Sequence, residues 1–193
     1  TGAGGSIGSE LARQIVTLGP SKIVLLDNSE FNLYTIHQEL FSLLINIEII
    51  PALCTTTNYY QLKKIISQHQ INTIYHAAAY KHVPMVEMNI VSGVYNNVVG
   101  TYNIAKVADE LNVDSMVLVS TDKAVRPTNV MGASKRFSEL VLQAFSDKSS
   151  TCFSMVRFGN VLDSAGSVVP LFRRQIKKGG PVTVTHRNIT RYF

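Results

Sequence analysis

A chain of 193 residues with 46% hydrophobic and 16% charged residues has ordinary globular usage and can bury a sizeable core. Its net charge of +5, from 18 Lys and Arg against 13 Asp and Glu, is scattered and forms no basic run. That argues against a nucleic-acid partner and leaves room for a small anionic ligand. Cys54 and Cys152 lie far apart and the five histidines share no ligand spacing, so two reduced thiols are expected and no metal centre is. No stretch of the sequence is long and apolar enough to span a membrane, and no secretory leader is visible.

The chain opens in a glycine-rich turn, Thr1-Gly2-Ala3-Gly4-Gly5-Ser6-Ile7-Gly8, with G-x-x-G-x-x-G at Gly2, Gly5 and Gly8. A helical pattern follows, with Ile7, Leu11, Ile15 and Leu18 on one face, and Gly19-Pro20 ends it. Residues 22–26 are a short apolar run suited to a strand buried on both faces, closed by Asp27. This arrangement is a dinucleotide fingerprint. The glycines let a pyrophosphate approach the amides around Ser6 and Ile7 at a helix N-terminus, and Asp27 can accept both ribose hydroxyls. No arginine stands in 28–36 to meet a 2′-phosphate, so NAD is expected over NADP. A turn of this type follows the first strand of its sheet. That strand is therefore expected ahead of Thr1, and a C-terminal part is expected beyond Phe193.

The remaining pattern alternates. A helix is predicted over 30–44 (Phe31, Leu33, Ile36, Leu40 and Leu43/Leu44 inward), then a strand over 47–53, a helix over 59–69 and a strand over 73–77. A long helix over 86–111 precedes a strand over 116–120, a helix over 131–147 and a strand over 152–158. An amphipathic helix over 167–178 is capped by Gly179-Gly180, and a last strand is predicted over 181–185. Such alternation means an α/β fold, a Rossmann-like doubly wound parallel sheet, in a single domain over 1–193. Its ligand crevice lies at the carboxyl ends of the strands.

Several residues fall at that crevice. Ala77, Ala78 and Ala79 follow a strand and are small enough for a cofactor to lie against the backbone, although a tight turn would need them equally. Thr121, Asp122 and Lys123 end another strand. The last two form either an adjacent acid and base or a solvated surface pair. Met131 and Lys135 stand four apart on a helix and so share a face.

The run Thr121 to Lys135 resembles the active-site segment of an extended short-chain dehydrogenase/reductase, with Met131 where the Tyr-x-x-x-Lys tyrosine normally sits. With Asp122-Lys123 beside it, the chain resembles the nucleotide-sugar 4,6-dehydratases of bacterial polysaccharide biosynthesis. The stretch Asp27-Asn28-Ser29-Glu30-Phe31-Asn32-Leu33-Tyr34 resembles their long, membrane-anchored form. The likeness runs through 1–8, 76–87, 120–136 and 157–193.

It implies NAD as cofactor and a UDP-N-acetylhexosamine substrate, UDP-N-acetylglucosamine first. Water would be eliminated to give a 4-keto-6-deoxy sugar for capsule, O-antigen or another surface glycan. By the same resemblance Lys81 and His82 flank cofactor and sugar, and Asn97 holds a water or a backbone group. Thr121 bonds the substrate, Asp122 protonates the departing hydroxyl and a neutral Lys123 abstracts at C5. Lys135 reaches the nicotinamide ribose. Residues 157–193 begin the nucleotide-sugar part, with Asn160 at the diphosphate or sugar and Ser167, Val168 and Pro170 against uracil.

A homo-oligomer is expected, in the cytoplasm or on the cytoplasmic face of the inner membrane, anchored only through a segment outside this chain. One departure is that residues 52–57 offer no carboxylate to the adenine. An epimerase or reductase of the same fold would want a tyrosine at 131, and Met131 alone would also suit a non-catalytic nucleotide-binding module. A thioether has no proton to exchange, so any acid–base chemistry must use other groups.

Overall fold

The computed structural model describes residues 1–43, 46–162, 168–184, 187–188 and 190. Among the described residues, five strands alternate with helices in the order α1 (Ser6–Thr17), β1 (Lys22–Asp27), α2 (Glu30–Phe41), β2 (Glu48–Leu53), α3 (Tyr59–His69) and β3 (Thr73–His76). There follow α4 (Val83–Met88), α5 (Ile90–Val94), a π-helical turn (Tyr95–Val99), α6 (Gly100–Glu110), β4 (Ser115–Thr121), a 3-10 turn (Asp122–Ala124), α7 (Val130–Ser146), β5 (Cys152–Phe158) and α8 (Val168–Lys177). Side-chain caps start several of these helices. Ser29 accepts from Asn32 N–H, Asn58 from Gln61 N–H and Asn129 from Gly132 N–H, each relieving an amide that has no partner within its helix.

Helices cover both faces of the strands, as a doubly wound fold requires. Adjacent β1 residues point to opposite sides. Leu25 joins Ala12, Val16, Leu33, Ile36 and Leu40 beneath α1 and α2. Leu26 joins Leu62, Ile66, Ile104, Val107, Met116, Leu118 and Leu142 beneath α3, α6 and α7. β1 pairs in parallel with β2, β3 pairs in parallel with β4, and β5 lies on the far side of β4.

The sheet is in two parts, β1-β2 and β3-β4-β5. Between them runs a slot of about 530 Å³, lined by Leu11 and Ile15 of α1, Ile23 and Leu25 of β1, and Ile74 of β3. Residues 1–3 bridge its end. Ala3 N–H donates to Leu26 O at 3.1 Å and Ala77 N–H to Thr1 O at 3.2 Å. The glycine-rich turn is thereby tied to both halves of the sheet.

The structure corrects five expectations. The helix over 86–111 is broken at Asn89 (φ −136°, ψ 55°) and widened into the π turn, events to which hydrophobic periodicity is blind. Phe31 is 77% exposed, because it lies two residues before Leu33 and so on another face of α2. Leu18 is exposed as the C-cap of α1, past the turns that pack, and Leu43 is exposed beyond the end of α2. Residues 181–184 are not a strand, and Leu44 lies outside the described residues. Among the described residues no helix is long and apolar enough to cross a membrane.

Thr1–Arg157 and Phe158–Phe193 are two compact units. In the second, the Gln175 amide of α8 donates to Thr183 Oγ1 at 2.8 Å and its carbonyl accepts Thr183 N–H at 3.1 Å.

Candidate functional site

A concavity of about 180 Å³ opens at the carboxyl ends of β1, β2 and β3, lined by Gly2, Gly5, Asp27, Cys54, Thr56, Ala77, Ala78, Ala79 and Asn96, among others. Its floor demands glycine. Gly2 has φ +65°, and a Cβ there would stand 2.7 Å from Ala78 N; a Cβ on Gly8 would overlap the Gly2 carbonyl. The N-cap of α1 is Gly5, which contributes no side chain to the first-turn amides around Ser6 and Ile7. Amides and helix dipole at that end therefore suit a phosphate.

Asp27 is buried at the rim and does more than the sequence suggests. Its Oδ2 accepts Gly4 N–H and its Oδ1 accepts Ser29 N–H, each at 2.9 Å. The carboxylate thus holds the glycine-rich turn against α2 while keeping lone pairs for a ribose. At the end of β2, where the sequence offers no acid, the wall is Cys54, Thr55 and Thr56. Burial pushes the Cys54 thiol up to about 11, so it remains protonated.

The π turn makes Asn97 a junction. Its side chain accepts Tyr80 N–H at 2.8 Å and donates to Tyr80 O and Ser134 Oγ at 3.0 Å each. Its carbonyl accepts from Thr101 Oγ1 at 2.6 Å and Ser138 Oγ at 2.8 Å. One buried residue thereby fixes the loop after β3 to α7. His76 extends the network, its Nε2 lying 3.1 Å from Thr101 Oγ1. Burial and the Lys135 charge hold the His76 imidazole well below its usual range, hence neutral. Lys81 and His82 are exposed on the same loop, His82 as the N-cap of α4; partial burial lowers the Lys81 ammonium.

At the end of β4, Thr121 Oγ1 donates to Asp122 Oδ1 at 2.9 Å and Lys123 Nζ approaches the same oxygen at 3.1 Å. Burial works to raise the Asp122 carboxyl, but hydrogen bonds from Lys123 and Thr121 outweigh it and hold it below the usual carboxylate range. Met131 is buried in the first turn of α7. Lys135 is buried one turn on, its Nζ donating to Val119 O at 2.8 Å. Burial lowers that ammonium to about 8, a shift that the Glu139 charge partly offsets. The α7 N-terminus is also tied across to α4, where Glu87 Oε1 accepts Val130 N–H at 2.7 Å.

Asn160 lies in the second unit, Val168 opens α8 there and Pro170 sits in its first turn; Ser167 lies outside the described residues. Sequence reading missed Asn96, His76, Glu87, Ser134 and Glu139. Only Asn96, beside Asn97, carried a local signal.

A doubly wound sheet with a glycine-rich turn, a closing acid and a π-turn asparagine defines a dinucleotide-binding fold of the short-chain dehydrogenase/reductase type. Over residues 1–193 the chain matches, and belongs to, the family described as polysaccharide biosynthesis protein. It is 51% identical over 195 residues to the capsular polysaccharide biosynthesis protein CapD of Staphylococcus aureus, covering all of this chain and 33% of that protein. It thus spans about a third of that relative's length. Among solved structures, Pen from Bacillus thuringiensis superposes with a TM-score of 0.93 at 32% identity, over 99% of this chain and 60% of that one. The dTDP-glucose 4,6-dehydratase DesIV from Streptomyces venezuelae, solved with NAD bound, superposes with a TM-score of 0.80 at 21% identity, over 94% and 62%. That second likeness is one of fold.

Proposed function

We propose that the chain carries the cofactor site and acid–base pair of a nucleotide-sugar 4,6-dehydratase, acting on a UDP-N-acetylhexosamine during surface polysaccharide synthesis. The observation that carries this reading is the buried thioether of Met131 four residues before buried Lys135 on α7, where the resemblance would put a tyrosine, together with the Asp122–Lys123 contact at the end of β4. An oxidoreductase or epimerase site would need an exchangeable proton at 131. A dehydratase can take its proton donor and acceptor from Asp122 and Lys123 instead.

NAD is the cofactor. Its pyrophosphate suits the Gly5-capped end of α1, and the Asp27 carboxylate, engaged by two amides, would repel a 2′-phosphate. When bound, the nicotinamide supplies a reversible hydride acceptor that oxidises C4 of the sugar and later reduces C6, with no net redox. Lys135, whose ammonium donates to the Val119 carbonyl, is assigned to the nicotinamide ribose, and Asn97 holds the Tyr80 backbone at the pocket wall.

Once C4 is a ketone, its hydroxyl proton having left to solvent through an ordered water, C5–H is acidic, and the proton that Lys123 takes from C5 is returned there when C6 is reduced. The elimination then needs a neutral amine at Lys123 and a protonated carboxyl at Asp122. The ion pair already holds that number of protons. Moving one from Lys123 Nζ to Asp122 Oδ1, across 3.1 Å, gives base and acid together. A bound sugar nucleotide that excludes water favours the uncharged pair, because desolvation penalises two charges more than none. Asn160, Ser167, Val168 and Pro170 are proposed for the nucleotide, and Lys81 and His82 for the sugar side of the loop.

The test is to incubate the full-length protein and NAD with UDP-N-acetylglucosamine and weigh the product. One water lighter is expected. A product of unchanged mass inverted at C4 would make it an epimerase, and NAD binding without turnover would leave a binding module.

Met131 itself should be dispensable for chemistry. Met131→Ala is expected to cost about 2–5 kcal/mol of stability, the range for truncating a buried methionine, while turnover stays within a few-fold. A thermal melt and a turnover assay on the same sample check both halves. A variant that folds and binds NAD but is inactive would mean that the thioether takes part in the reaction.

A further inference from the structure

Three residues of α7 grip the end of β4 and the turn after it. Gly132 lies so close to the Lys123 carbonyl that a Cβ there would overlap it. Lys135 Nζ donates to Val119 O at 2.8 Å. One helical turn further, Glu139 Oε1 accepts from Ser120 Oγ at 2.6 Å. Thr121 and Asp122 lie between these anchors in sequence and are held from both sides by one helix.

Glu139 is the unexpected member. It is 0% exposed, and the dehydration scheme makes no use of it. A carboxylate survives such burial only when its oxygens are satisfied. Here they are, since Arg157 Nε donates to Oε1 at 2.8 Å, an Arg157 terminal nitrogen donates to Oε2 at 2.6 Å and Arg136 donates to Oε2 at 2.9 Å. Burial works to raise the Glu139 carboxyl, but these bonds and the one from Ser120 outweigh it and leave it near 2. The grip on Ser120 is therefore ionised throughout the working pH range.

Core packing alone would be met by a leucine here, with no charge to desolvate. What a leucine could not do is hold the Ser120 hydroxyl. The two-point bond from Arg157 on β5 fixes the plane of the carboxylate, so Ser120 meets an acceptor that cannot swing away. Ser120 is the residue before Thr121 and its side chain points into α7, as the alternating burial of β4 requires.

We propose that Glu139 is a positioning residue that sets where the Thr121–Lys123 turn stands against α7, an inference that rests on reading Asp122 and Lys123 as the acid–base pair. It acts through Ser120 and touches neither substrate nor cofactor. Displacement of a reacting group by a fraction of an ångström to one ångström is enough to cost about 10- to 100-fold in rate.

The experiment compares the full-length enzyme with its Glu139→Gln, Ser120→Ala and double variants, with NAD and UDP-N-acetylglucosamine. Glu139→Gln is expected to lower kcat about 10- to 100-fold with KM within about three-fold, and Ser120→Ala to lower kcat by a smaller factor. The single oxygen of a glutamine turns to the Arg157 and Arg136 donors and its NH2 faces Ser120, so both variants remove the same hydrogen bond and the double variant should be no slower than Glu139→Gln alone. Amide exchange should accelerate over 119–126 and stay unchanged elsewhere. Unchanged kcat in the folded variants, or exchange that rises evenly along the chain, would reduce Glu139 to a stability element. Should Glu139→Gln fail to fold, Ser120→Ala decides by the same two readouts. If the wild type makes no dehydrated product, the acid–base reading falls. Exchange over 119–126 then judges the positioning role by itself, and no local acceleration there ends it.

Discussion

Asp122→Asn and Lys123→Met are each expected to slow dehydration by about two to four decades, the scale of a lost general acid or base. That corresponds to about 3–5 kcal/mol of barrier. Stability should barely move. The side chains of Asp122 and Lys123 are 52% and 38% exposed, and an exposed ion pair contributes at most about 1 kcal/mol to folding. The asparagine keeps an oxygen for Thr121 Oγ1, so the turn should persist. NAD binding should survive as well, because Gly2, Gly5 and Asp27 line a separate stretch of the crevice. Turnover by product mass, a melt and an NAD titration on each variant decide the matter. Near-normal turnover in both would return the pair to a solvated surface contact and would leave the dehydratase reading without its acid and base.

Filling the slot between β1 and β3 is expected to stabilise the 193-residue chain strongly. Each of these strands has a partner on one side only, and the slot between them is walled by Ile23, Leu25 and Ile74. An unmade buried backbone hydrogen bond costs about 1–3 kcal/mol, so several together rival a whole domain's stability of about 5–15 kcal/mol. Residues 1–193 expressed alone should therefore aggregate readily and melt low. A short Val/Ile-rich strand fused ahead of Thr1 would lie between two paired neighbours with both faces covered, the environment of a parallel-sheet interior. About 5 kcal/mol gained there would raise the melting temperature by about 10–20 °C for a chain of this size. The same segment interrupted by proline should give no gain. A cooperative, high melt for the unextended chain, unchanged by either fusion, would mean that the slot costs far less than its open edges suggest.

The element order was legible because buried strands and amphipathic helices write their periods into the sequence. Gly2, Gly8 and Asp27 were legible because a turn packed against Ala78 tolerates no Cβ, and because a carboxylate at a strand end has a fixed distance to reach. Met131 and Lys135 could be placed on one face from their spacing alone. The break at Asn89 and the π turn at Tyr95–Val99 could not be foreseen, since a one-residue widening leaves the apolar pattern of a long helix almost unchanged.

The tertiary structure alone decided the polar partners. Asn97 joins Tyr80, 17 residues before it, to Ser134, 37 residues after it, and Glu139 joins Ser120, 19 residues before it, to Arg157, 18 residues after it. A glutamate on a helix reads as a solvated surface residue until packing closes over it. Which carboxylate is buried, and which donors compensate it, depends on the meeting of β4, β5 and α7, and that meeting is not encoded in any local spacing.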